Sequence, residues 1–321
     1  MNVLVTGANG FLGSWLCRRL QEEGHHVTAL VRKNSDLSEI NHLKLNYEYG
    51  DVTRIETLRE AFKNKEYIYH LAGVVAYNKN QRALMNHVNV NGTKNVVNVL
   101  TEQQNAKLLN LSSVVAIGSS FLPTVLSESS DYSIHHLNLG YFETKHQAEK
   151  IVTDAALNNK IHAINVNPST IYGSGDAKKG SRKNQIKVAQ GKLPFYTAGG
   201  VNVVAVEDVC EGIVQATKYG QNAQRYILAS ENMTIKELFS KIAGFSGVKA
   251  PSIYLPFSIL KIIGLIGDIR GKGLSTENAY TASMYHWFSH DKAKKELGFN
   301  PRSADIALEN SIRWMRDHKL I

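Results

Sequence analysis

Short apolar runs alternate with amphipathic helical stretches along the first half of the chain. The first run, at residues 2–5, contains β-branched valines, and apolar positions with a helical period follow it. The pattern predicts strands at 3–5, 27–31, 45–49, 67–70, 108–111 and 162–166, and helices at 12–23, 55–62, 81–103 and 141–158. Strands and helices that alternate at this rhythm predict a parallel sheet covered by helices on both faces.

The rhythm changes after residue 167. The pattern there predicts strands at 201–206 and 226–229, and helices near 182–190 and at 209–218, 235–243, 291–297 and 305–318. We therefore expect an α/β, Rossmann-type doubly wound parallel sheet with a smaller, mainly helical C-terminal substrate lobe. The nucleotide-binding domain would comprise 1–166 plus about 201–229, and the lobe about 167–200 plus 230–321.

Glycines recur every three residues between the first predicted strand and the first helix, at Gly7, Gly10 and Gly13. Such a turn lets the backbone approach an anion, and the following helix points its N-terminal N–H groups and the positive end of its dipole at that anion. Because the turn directly follows a strand, it predicts a site for the pyrophosphate of a dinucleotide. The alternative is an ordinary tight turn between a strand and a helix.

Composition narrows the list of partners. Of 321 residues, 43% are hydrophobic, and the formal net charge is +9. The basic residues are spread along the chain without an interleaved aromatic stripe, so we expect no nucleic acid partner and a solvated surface that attracts small anions. The most apolar stretch, at 255–266, is interrupted by Lys261 and is too short to span a bilayer. It predicts a buried or interfacial helix, with membrane-surface binding as the alternative.

The two cysteines, Cys17 and Cys210, lie in predicted helices far apart in the sequence. We expect them to be reduced packing residues of a cytoplasmic protein. No signal peptide is expected, because the first strand begins at residue 2 without a basic leader.

The second predicted strand ends at Arg32 and Lys33, where an acidic residue would bind a free ribose 2′-hydroxyl. A guanidinium instead binds a 2′-phosphate through charge-assisted hydrogen bonds. The sequence therefore favours NADP(H), with NAD(H) as the alternative; a solvated basic loop is the other interpretation of the pair. Asp51, after the third strand, is placed either to accept a hydrogen bond from the adenine amino group or to cap the next helix.

Tyr141 and Lys145 are four residues apart at the start of a predicted helix, so they share one face. An ammonium group near a tyrosine hydroxyl favours the phenolate and lowers the pKa of the tyrosine, which then exchanges a proton near neutral pH. Ser113 ends the fifth strand, at the sheet edge where ligands bind, and no G-x-S-x-G motif marks it as a hydrolase nucleophile. The alternative is a surface Tyr–Lys pair with no catalytic role.

Seven short motifs follow one another along the chain: TGxxGxxG at 6–13, GDV at 50–52, HLAG at 70–73, NVNGT at 89–93, LSS at 111–113, YxxxK at 141–145 and NPSTIYG at 167–173. Together they resemble the extended short-chain dehydrogenase/reductase (NAD-dependent epimerase/dehydratase) family over nearly the whole chain. Segments 199–209, 225–228, 231–234 and 292–298 resemble its dihydroflavonol 4-reductase-like branch.

The resemblance implies a role for each matching position. Tyr141 would be the general acid/base and Lys145 would bind the nicotinamide ribose. Ser113 would orient the substrate oxygen, and Asn89 would join a water-mediated proton relay. With the residues considered above, the expected cofactor-binding set is Gly7, Gly10, Phe11, Leu12, Gly13, Arg32, Lys33, Asp51, Val52, Leu71, Ala72, Gly73, Tyr141, Lys145 and Pro168.

The resemblance also implies a homodimer built from the helices at 81–103 and 141–158. Leu84, Val88, Ile151 and Val152 are the apolar residues expected at that interface. The alternative is that these faces pack on the sheet of their own chain.

We therefore expect an NADP(H)-dependent oxidoreductase that interconverts a small carbonyl compound and an alcohol. Valines at 114 and 115 stand where the family's dehydratases place an Asp-Glu pair, and Arg32 disfavours an NAD-using nucleotide-sugar epimerase, which remains the enzymatic alternative. A dinucleotide-sensing scaffold without turnover is the second alternative. No metal site is expected, because His286 and His290 have ligand spacing but no further ligands.

A basic group, formed by Lys178, Lys179, Arg182 and Lys183, precedes the helix predicted near 182–190. It would either bind an anionic group such as a diphosphate or be a solvated helix start.

Overall fold

The computed structural model describes residues 1–178 and 182–321 and is organised around a seven-stranded parallel sheet. The strands are β1 (Asn2–Thr6), β2 (His26–Val31), β3 (Asn46–Tyr49), β4 (Tyr67–His70), β5 (Lys107–Leu111), β6 (Val125–Leu126), β7 (Ala163–Pro168), β8 (Thr170–Tyr172), β9 (Phe195–Thr197), β10 (Gly200–Ala205), β11 (Arg225–Leu228), β12 (Glu231–Thr234), β13 (Ile253–Leu255) and β14 (Trp287–Phe288). The α-helices are α1 (Phe11–Glu22), α2 (Ile55–Ala61), α3 (Arg82–Met85), α4 (Gly92–Gln103), α5 (Gly140–Leu157), α6 (Lys183–Ala189), α7 (Val206–Tyr219), α8 (Ile235–Ser246), α9 (Phe257–Arg270), α10 (Thr276–Ser283), α11 (Asp291–Leu297) and α12 (Ala304–Asp317).

The central sheet has the order β3-β2-β1-β4-β5-β7-β11, with every neighbouring pair parallel. The chain builds outward from β1 in one direction and then returns to build outward from β4 in the other. This reversal opens a crevice at the carboxyl ends of β1 and β4, where ligands bind in open α/β sheets. The predicted doubly wound α/β fold is confirmed.

Each face of the central sheet buries its own hydrophobic cluster. Leu16 of α1 and Ile213 of α7 are fully buried on one face. Leu58 of α2, Val96 of α4 and Val152 of α5 are fully buried on the other. Since Val152 lies in the core of its own chain, it is not available to a partner subunit, and the expectation that it lines a dimer interface is wrong.

A second, three-stranded sheet of order β8-β10-β12 packs with α6, α8 and α12 around a hydrophobic cluster of its own. The strand predicted at 201–206 is present as β10, but it pairs with β8 and β12 instead of joining the central sheet. Helix α7 and strand β11 return to the nucleotide domain, where α7 packs on α1 and β11 extends the sheet beside β7. The division of the chain into a nucleotide domain and a substrate lobe stays a prediction.

The predicted helix at 81–103 is not regular. It begins with a 3₁₀ turn at Lys79–Gln81, continues through α3, and contains a π-helical segment at Asn86–Asn91 before α4. Such widened turns recur at functional sites because they redirect one side chain without ending the helix. The redirected side chain here is Asn89, which is buried.

No helix among residues 1–178 and 182–321 is both long and apolar enough to cross a membrane. Cys17 and Cys210 are free thiols in the core, and burial raises the pKa of both.

Candidate active site

The glycine turn after β1 forms a cradle that side chains would fill. A Cβ atom at Gly13 would lie 2.1 Å from the carbonyl oxygen of Gly7. Gly7 has a φ of +68°, and a Cβ there would lie 2.9 Å from the backbone nitrogen of Ala72. Helix α1 begins at Phe11 with Gly10 as its N-cap and no side-chain cap. The backbone of the glycine turn therefore lies close to the N-terminus of α1 and to the segment after β4. A bound pyrophosphate requires this close approach of the backbone.

A chain of buried hydrogen bonds fixes the segment that faces the turn. The Thr6 hydroxyl oxygen accepts the backbone N–H groups of Leu71 and Ala72, both at 3.1 Å, and lies 2.9 Å from His70 Nδ1. On the other side of the ring, His70 Nε2 lies 3.0 Å from the hydroxyl oxygen of Thr93. Burial lowers the pKa of His70 to about 3, so the ring is neutral. Thr6 then donates to Nδ1, and Nε2–H donates to Thr93.

These bonds hold the backbone of Leu71, Ala72 and Gly73 against the glycine turn, on the side expected to face adenosine. The sequence motif predicted these three residues as part of the site. It did not predict the hydrogen bonds that link Thr6 to His70 and His70 to Thr93. These two bonds join the histidine to residues 64 and 23 positions away, so no local pattern reveals them.

Arg32 and Lys33 lie exposed at the carboxyl end of β2, beside the glycine turn. Asp51 lies beyond β3, and its Oδ1 accepts bonds from the backbone and hydroxyl of Thr53 at 2.9 and 2.8 Å. One carboxylate oxygen of Asp51 is therefore used in the turn that leads to α2. The side chain of Val52 is buried and would be 2.9 Å from a Cβ at Gly92, so Val52 can face a ligand only through its backbone.

Tyr141 and Ser113 come together at the carboxyl end of β5. The Ser113 hydroxyl lies close enough to the Tyr141 hydroxyl to lower the pKa of the tyrosine. Burial outweighs it and raises the pKa of Tyr141 to about 12. The ring of Tyr77 packs edge-on against Tyr141, with centroids 5.7 Å apart.

Lys145 lies one helical turn after Tyr141, and its Nζ donates to the carbonyl oxygen of Leu111 at 2.7 Å. Burial lowers the pKa of Lys145 to about 8, and the Glu149 carboxylate partly opposes the shift. The expectation that Lys145 lowers the pKa of Tyr141 does not hold in this structure. The ammonium group is bonded to the β5 backbone, and desolvation of the tyrosine dominates.

Asn89 reaches a different partner from the one expected. Its Oδ1 accepts from the Val74 backbone N–H at 2.7 Å, and its Nδ2 donates to the Val74 carbonyl at 2.9 Å and to the Thr144 hydroxyl at 3.3 Å. Asn89 therefore ties the segment after β4 to helix α5, next to the catalytic pair. Its part in a proton relay stays a prediction.

Glu149 is a member of the site that the sequence reading missed. It is only 4% exposed, and its Oε2 accepts a hydrogen bond from Asn167 Nδ2 at 2.6 Å. The same amide nitrogen donates to the carbonyl oxygen of Ser113 at 3.0 Å, and Arg225 lies 3.3 Å from Oε1. Pro168, next to Asn167, is buried at the end of β7, one strand away from Ser113. The spacing of Glu149 from Tyr141 and Lys145, four residues at each step, was a signal available in the sequence.

The substrate side of the crevice is closed by α10 and the segment after β4. The Ser275 hydroxyl donates to the Tyr77 carbonyl oxygen, and Arg82 pairs with the nearly buried Glu277 at 2.6 Å. Tyr280 packs into the apolar cluster that contains Tyr77 and Tyr141. Tyr141 thus packs in a cluster of aromatic and aliphatic side chains.

The two remaining candidates are the histidine pair and the basic group. Within the described ranges, no three His, Cys, Asp or Glu side chains are grouped to hold a metal ion, and His286 Nε2 bonds the Thr281 carbonyl at 2.9 Å. In the basic group, Lys179 lies outside the described residues. Arg182 is buried, pairs with Asp176 at 3.1 Å and stacks on Tyr172, so it supports the lobe's own structure.

Comparison with known proteins agrees with this geometry. A model of the NAD dependent epimerase/dehydratase family matches residues 3–229. A putative dihydroflavonol 4-reductase from Synechocystis sp. is 27% identical, covering 98% of this chain and 94% of that protein. Sterol demethylase protein B from Methylococcus capsulatus is 26% identical over 100% of both chains. The crystal structure of gox2253 is 33% identical, with a TM-score of 0.89, covering 100% of this chain and 99% of that one.

The matches confirm the resemblance to extended short-chain dehydrogenases/reductases and to their dihydroflavonol reductase-like branch. They extend beyond the nucleotide domain through the C-terminal lobe, since these relatives cover nearly the whole chain.

Proposed function

Because the chain belongs to the NAD dependent epimerase/dehydratase family, we propose that it is an NADP(H)-dependent oxidoreductase that reduces a ketone or aldehyde to an alcohol. The observation that carries this proposal is the contact of Ser113 with Tyr141 at the end of β5, one helical turn from Lys145. Two hydroxyls at that point can both donate to one carbonyl oxygen. The buried side chains after Ser113 are Val114 and Val115, which offer no acid or base for elimination of water.

A protonated Tyr141 fits the general acid of carbonyl reduction. With a pKa of about 12, the tyrosine is protonated at neutral pH, as a general acid must be. An alkoxide is a stronger base than a phenolate, so a proton moves downhill from Tyr141 to the newly formed alcohol oxygen. A nicotinamide cofactor bound in the crevice supplies the hydride. Lys145, whose pKa is about 8, is mostly cationic at neutral pH, and its proposed role is to hold the nicotinamide ribose one helical turn from Tyr141.

The preference for NADP(H) rests on Arg32 and Lys33, the exposed basic pair at the carboxyl end of β2. A 2′-phosphate next to the adenosine ribose would meet these side chains and no carboxylate from the strand end. Loss of one charge-assisted hydrogen bond costs about 1.5–3 kcal/mol. Calorimetry should therefore show that Arg32→Ala weakens NADP(H) binding about tenfold to a hundredfold and leaves NAD(H) binding unchanged. The control, Arg313→Ala at an exposed position on α12, should change the binding of neither cofactor. Equal or tighter binding of NAD(H) to the parent would exclude the preference.

The catalytic proposal is tested with a panel of carbonyl compounds, followed at the NADPH absorbance band. Positioned acid catalysis contributes about 10²–10⁴-fold, so Tyr141→Phe should lower kcat by about that factor. Phenylalanine keeps the ring against Tyr77, and cofactor binding should barely change. Tyr219→Phe, at an exposed position on α7, serves as the matched control. Near-parental turnover by Tyr141→Phe would refute the assignment, and epimerisation of a nucleotide sugar by the parent would establish the alternative activity.

A further inference from the structure

Helix α9 carries an exposed aliphatic stripe on an otherwise well-buried chain. Six of its fourteen residues are exposed and aliphatic, namely Ile259, Ile262, Ile263, Leu265, Ile266 and Ile269. Ile262 is 59% exposed and Ile269 86%. Intervals of three and four residues place most of them on one side of the helix. Contiguous exposed apolar surface of this kind marks an interaction site.

The opposite side of α9 explains why the stripe faces outward. A Cβ at Gly264 would lie 2.9 Å from the carbonyl oxygen of Ser275, and one at Gly267 would lie 1.8 Å from that of Leu274. The two glycines let α9 pack backbone-close against the start of α10, so this side is filled by the chain itself. The stripe is therefore the side that the described residues leave uncovered.

The stripe continues toward the candidate active site. Phe257, at the start of α9, packs against Tyr280 of α10 at 5.3 Å between ring centroids, and Phe121 packs on both. Tyr280 belongs to the apolar cluster that contains Tyr77 and Tyr141. Leu122, next to Phe121, is 69% exposed. Apolar side chains thus connect the start of α9 with the cluster that contains Tyr141.

Basic side chains rim the stripe. Lys261 and Arg270 are exposed on α9, and Lys79 and Lys272 are exposed beside it. The one acidic residue of α9, Asp268, is 18% exposed; it lies 3.8 Å from Lys79 and accepts a bond from the Thr276 backbone. Asp268 offsets the charge of Lys79, so Lys261, Arg270 and Lys272 make the rim positive, and a partner that fits it has an apolar interior and an anionic surface.

We propose that α9 docks in the plane of an anionic phospholipid membrane, with the isoleucines among the acyl chains and the basic rim on the headgroups. Fourteen residues of α-helix are about 21 Å long, against about 30 Å for the hydrocarbon layer, so α9 lies on a bilayer and does not cross it. Interfacial helices with this pattern bind through apolar area and attraction to anionic lipids. A second copy of the chain fits less well, because two positive rims would face each other.

The inference deepens the proposed function and rests on it in one respect. If the Tyr141 pocket reduces a carbonyl, the apolar path from α9 makes the substrate a long or polycyclic apolar ketone or aldehyde held in the lipid layer. The docking surface itself does not depend on turnover.

Cosedimentation with vesicles tests the docking surface directly. The parent should bind vesicles of phosphatidylcholine with phosphatidylglycerol more tightly than vesicles of phosphatidylcholine alone. Removing a buried isoleucine side chain costs about tenfold in binding, so Ile262→Ser with Ile269→Ser should weaken vesicle binding about a hundredfold. The matched control is Leu157→Ser with Ile306→Ser, which removes exposed aliphatic side chains from α5 and α12 and should leave binding unchanged.

A second variant tests the rim without altering apolar surface. Each lysine near an anionic membrane contributes about fivefold, so Lys261→Ala with Lys272→Ala should remove most of the preference for phosphatidylglycerol. A parent that stays in the supernatant, or an isoleucine variant that still sediments, would overturn the proposal. So would a parent dimer, seen without vesicles, that the isoleucine variant converts to monomer, because the stripe would then be a subunit interface.

Turnover measurements distinguish failure of the docking surface from failure of the proposed function. Turnover of a water-soluble carbonyl should be the same in the parent and in the isoleucine variant, whereas turnover of an apolar carbonyl presented in vesicles should fall with vesicle binding. Vesicle binding without any carbonyl reduction would defeat the proposed function alone. Carbonyl reduction without vesicle binding would defeat the docking surface alone.

Discussion

Replacing Glu149 by glutamine tests whether the buried carboxylate on α5 sets the protonation of Lys145. Glu149 lies one helical turn beyond Lys145 and, through Asn167, is linked to the carbonyl oxygen of Ser113. Its negative charge raises the pKa of Lys145, which burial has lowered to about 8. Glutamine keeps the shape of the side chain and one acceptor for Asn167 but removes the charge.

The size of the effect follows from the distances. Charges on side chains one turn apart are about 6 Å from each other and interact by about 2.8 kcal/mol at an effective dielectric constant of about 20. Arg225 lies 3.3 Å from the same carboxylate and neutralises part of this attraction. We therefore expect the pKa of Lys145 to fall by about one further unit in Glu149→Gln, which corresponds to about 1.4 kcal/mol.

The sign of the pH effect is fixed by the charge on Lys145. The proposed role of the ammonium form is to hold the nicotinamide ribose, and this form is lost as pH rises through the lysine pKa. The alkaline limb of the kcat/KM profile for carbonyl reduction should therefore move about one unit to lower pH in Glu149→Gln.

The matched control is Asp154→Asn, which removes a carboxylate from the same helix at an exposed position paired with Lys150. Its profile should coincide with that of the parent. A purely structural role for Glu149 would lower stability or overall rate without moving the limb. An unmoved limb in a folded Glu149→Gln protein would refute the electrostatic role.

Three further predictions follow from the fold and the nucleotide crevice. A Cβ at Gly13 would lie 2.1 Å from the Gly7 carbonyl oxygen, so Gly13→Ala should abolish dinucleotide binding in calorimetry, while Gly244→Ala, where the Cβ meets nothing within 4 Å, should not. The pKa of His70 falls from 6.5 to about 3 on folding, so the unfolded state binds more protons between these values and the free energy of unfolding should drop by about 1.4 kcal/mol per unit as pH falls. His70→Gln should lose that part of the slope in urea titrations, and a parallel slope would contradict the assignment. Leu84 is 46% exposed on α3, so Leu84→Lys should convert the expected dimer to monomer, and a parent that sediments only as a 35.6 kDa species would rule the dimer out.

The order of strands and helices in the first half of the chain was predictable because each element has a local sequence pattern. Buried parallel strands such as β1 are short apolar runs, and α1 and α5 have amphipathic faces that locate them to within one residue. The pairing of strands was not predictable in this way. Nothing in the sequence of β10 says that it joins β8 and β12, because strand partners are chosen by contacts far along the chain.

In the candidate site, too, features with a local sequence pattern were predicted and features that depend on distant contacts were not. Gly7, Tyr141 and Ser113 were found because their spacing or their position after a strand carries the chemistry. The π-helical segment around Asn89 was missed; the bond that Asn89 makes there joins it to the Val74 backbone, 15 residues away, and no local pattern reveals it. The direction of the Tyr141 pKa was also missed, since burial is a property of the assembled pocket.

Helix α5 shows how a local spacing becomes a site only through the register of the sheet. Tyr141, Lys145 and Glu149 occupy one face at intervals of four residues, and each meets a different backbone or side-chain group: Ser113, Leu111 and Asn167 respectively. These three partners are neighbours because β5 and β7 pair in parallel with Leu111 opposite Val166. A slip of this pairing by one residue would turn every side chain of β7 to the other face. It would carry Asn167 away from both Glu149 and Ser113, so the geometry of the candidate site depends on the register of two buried strands.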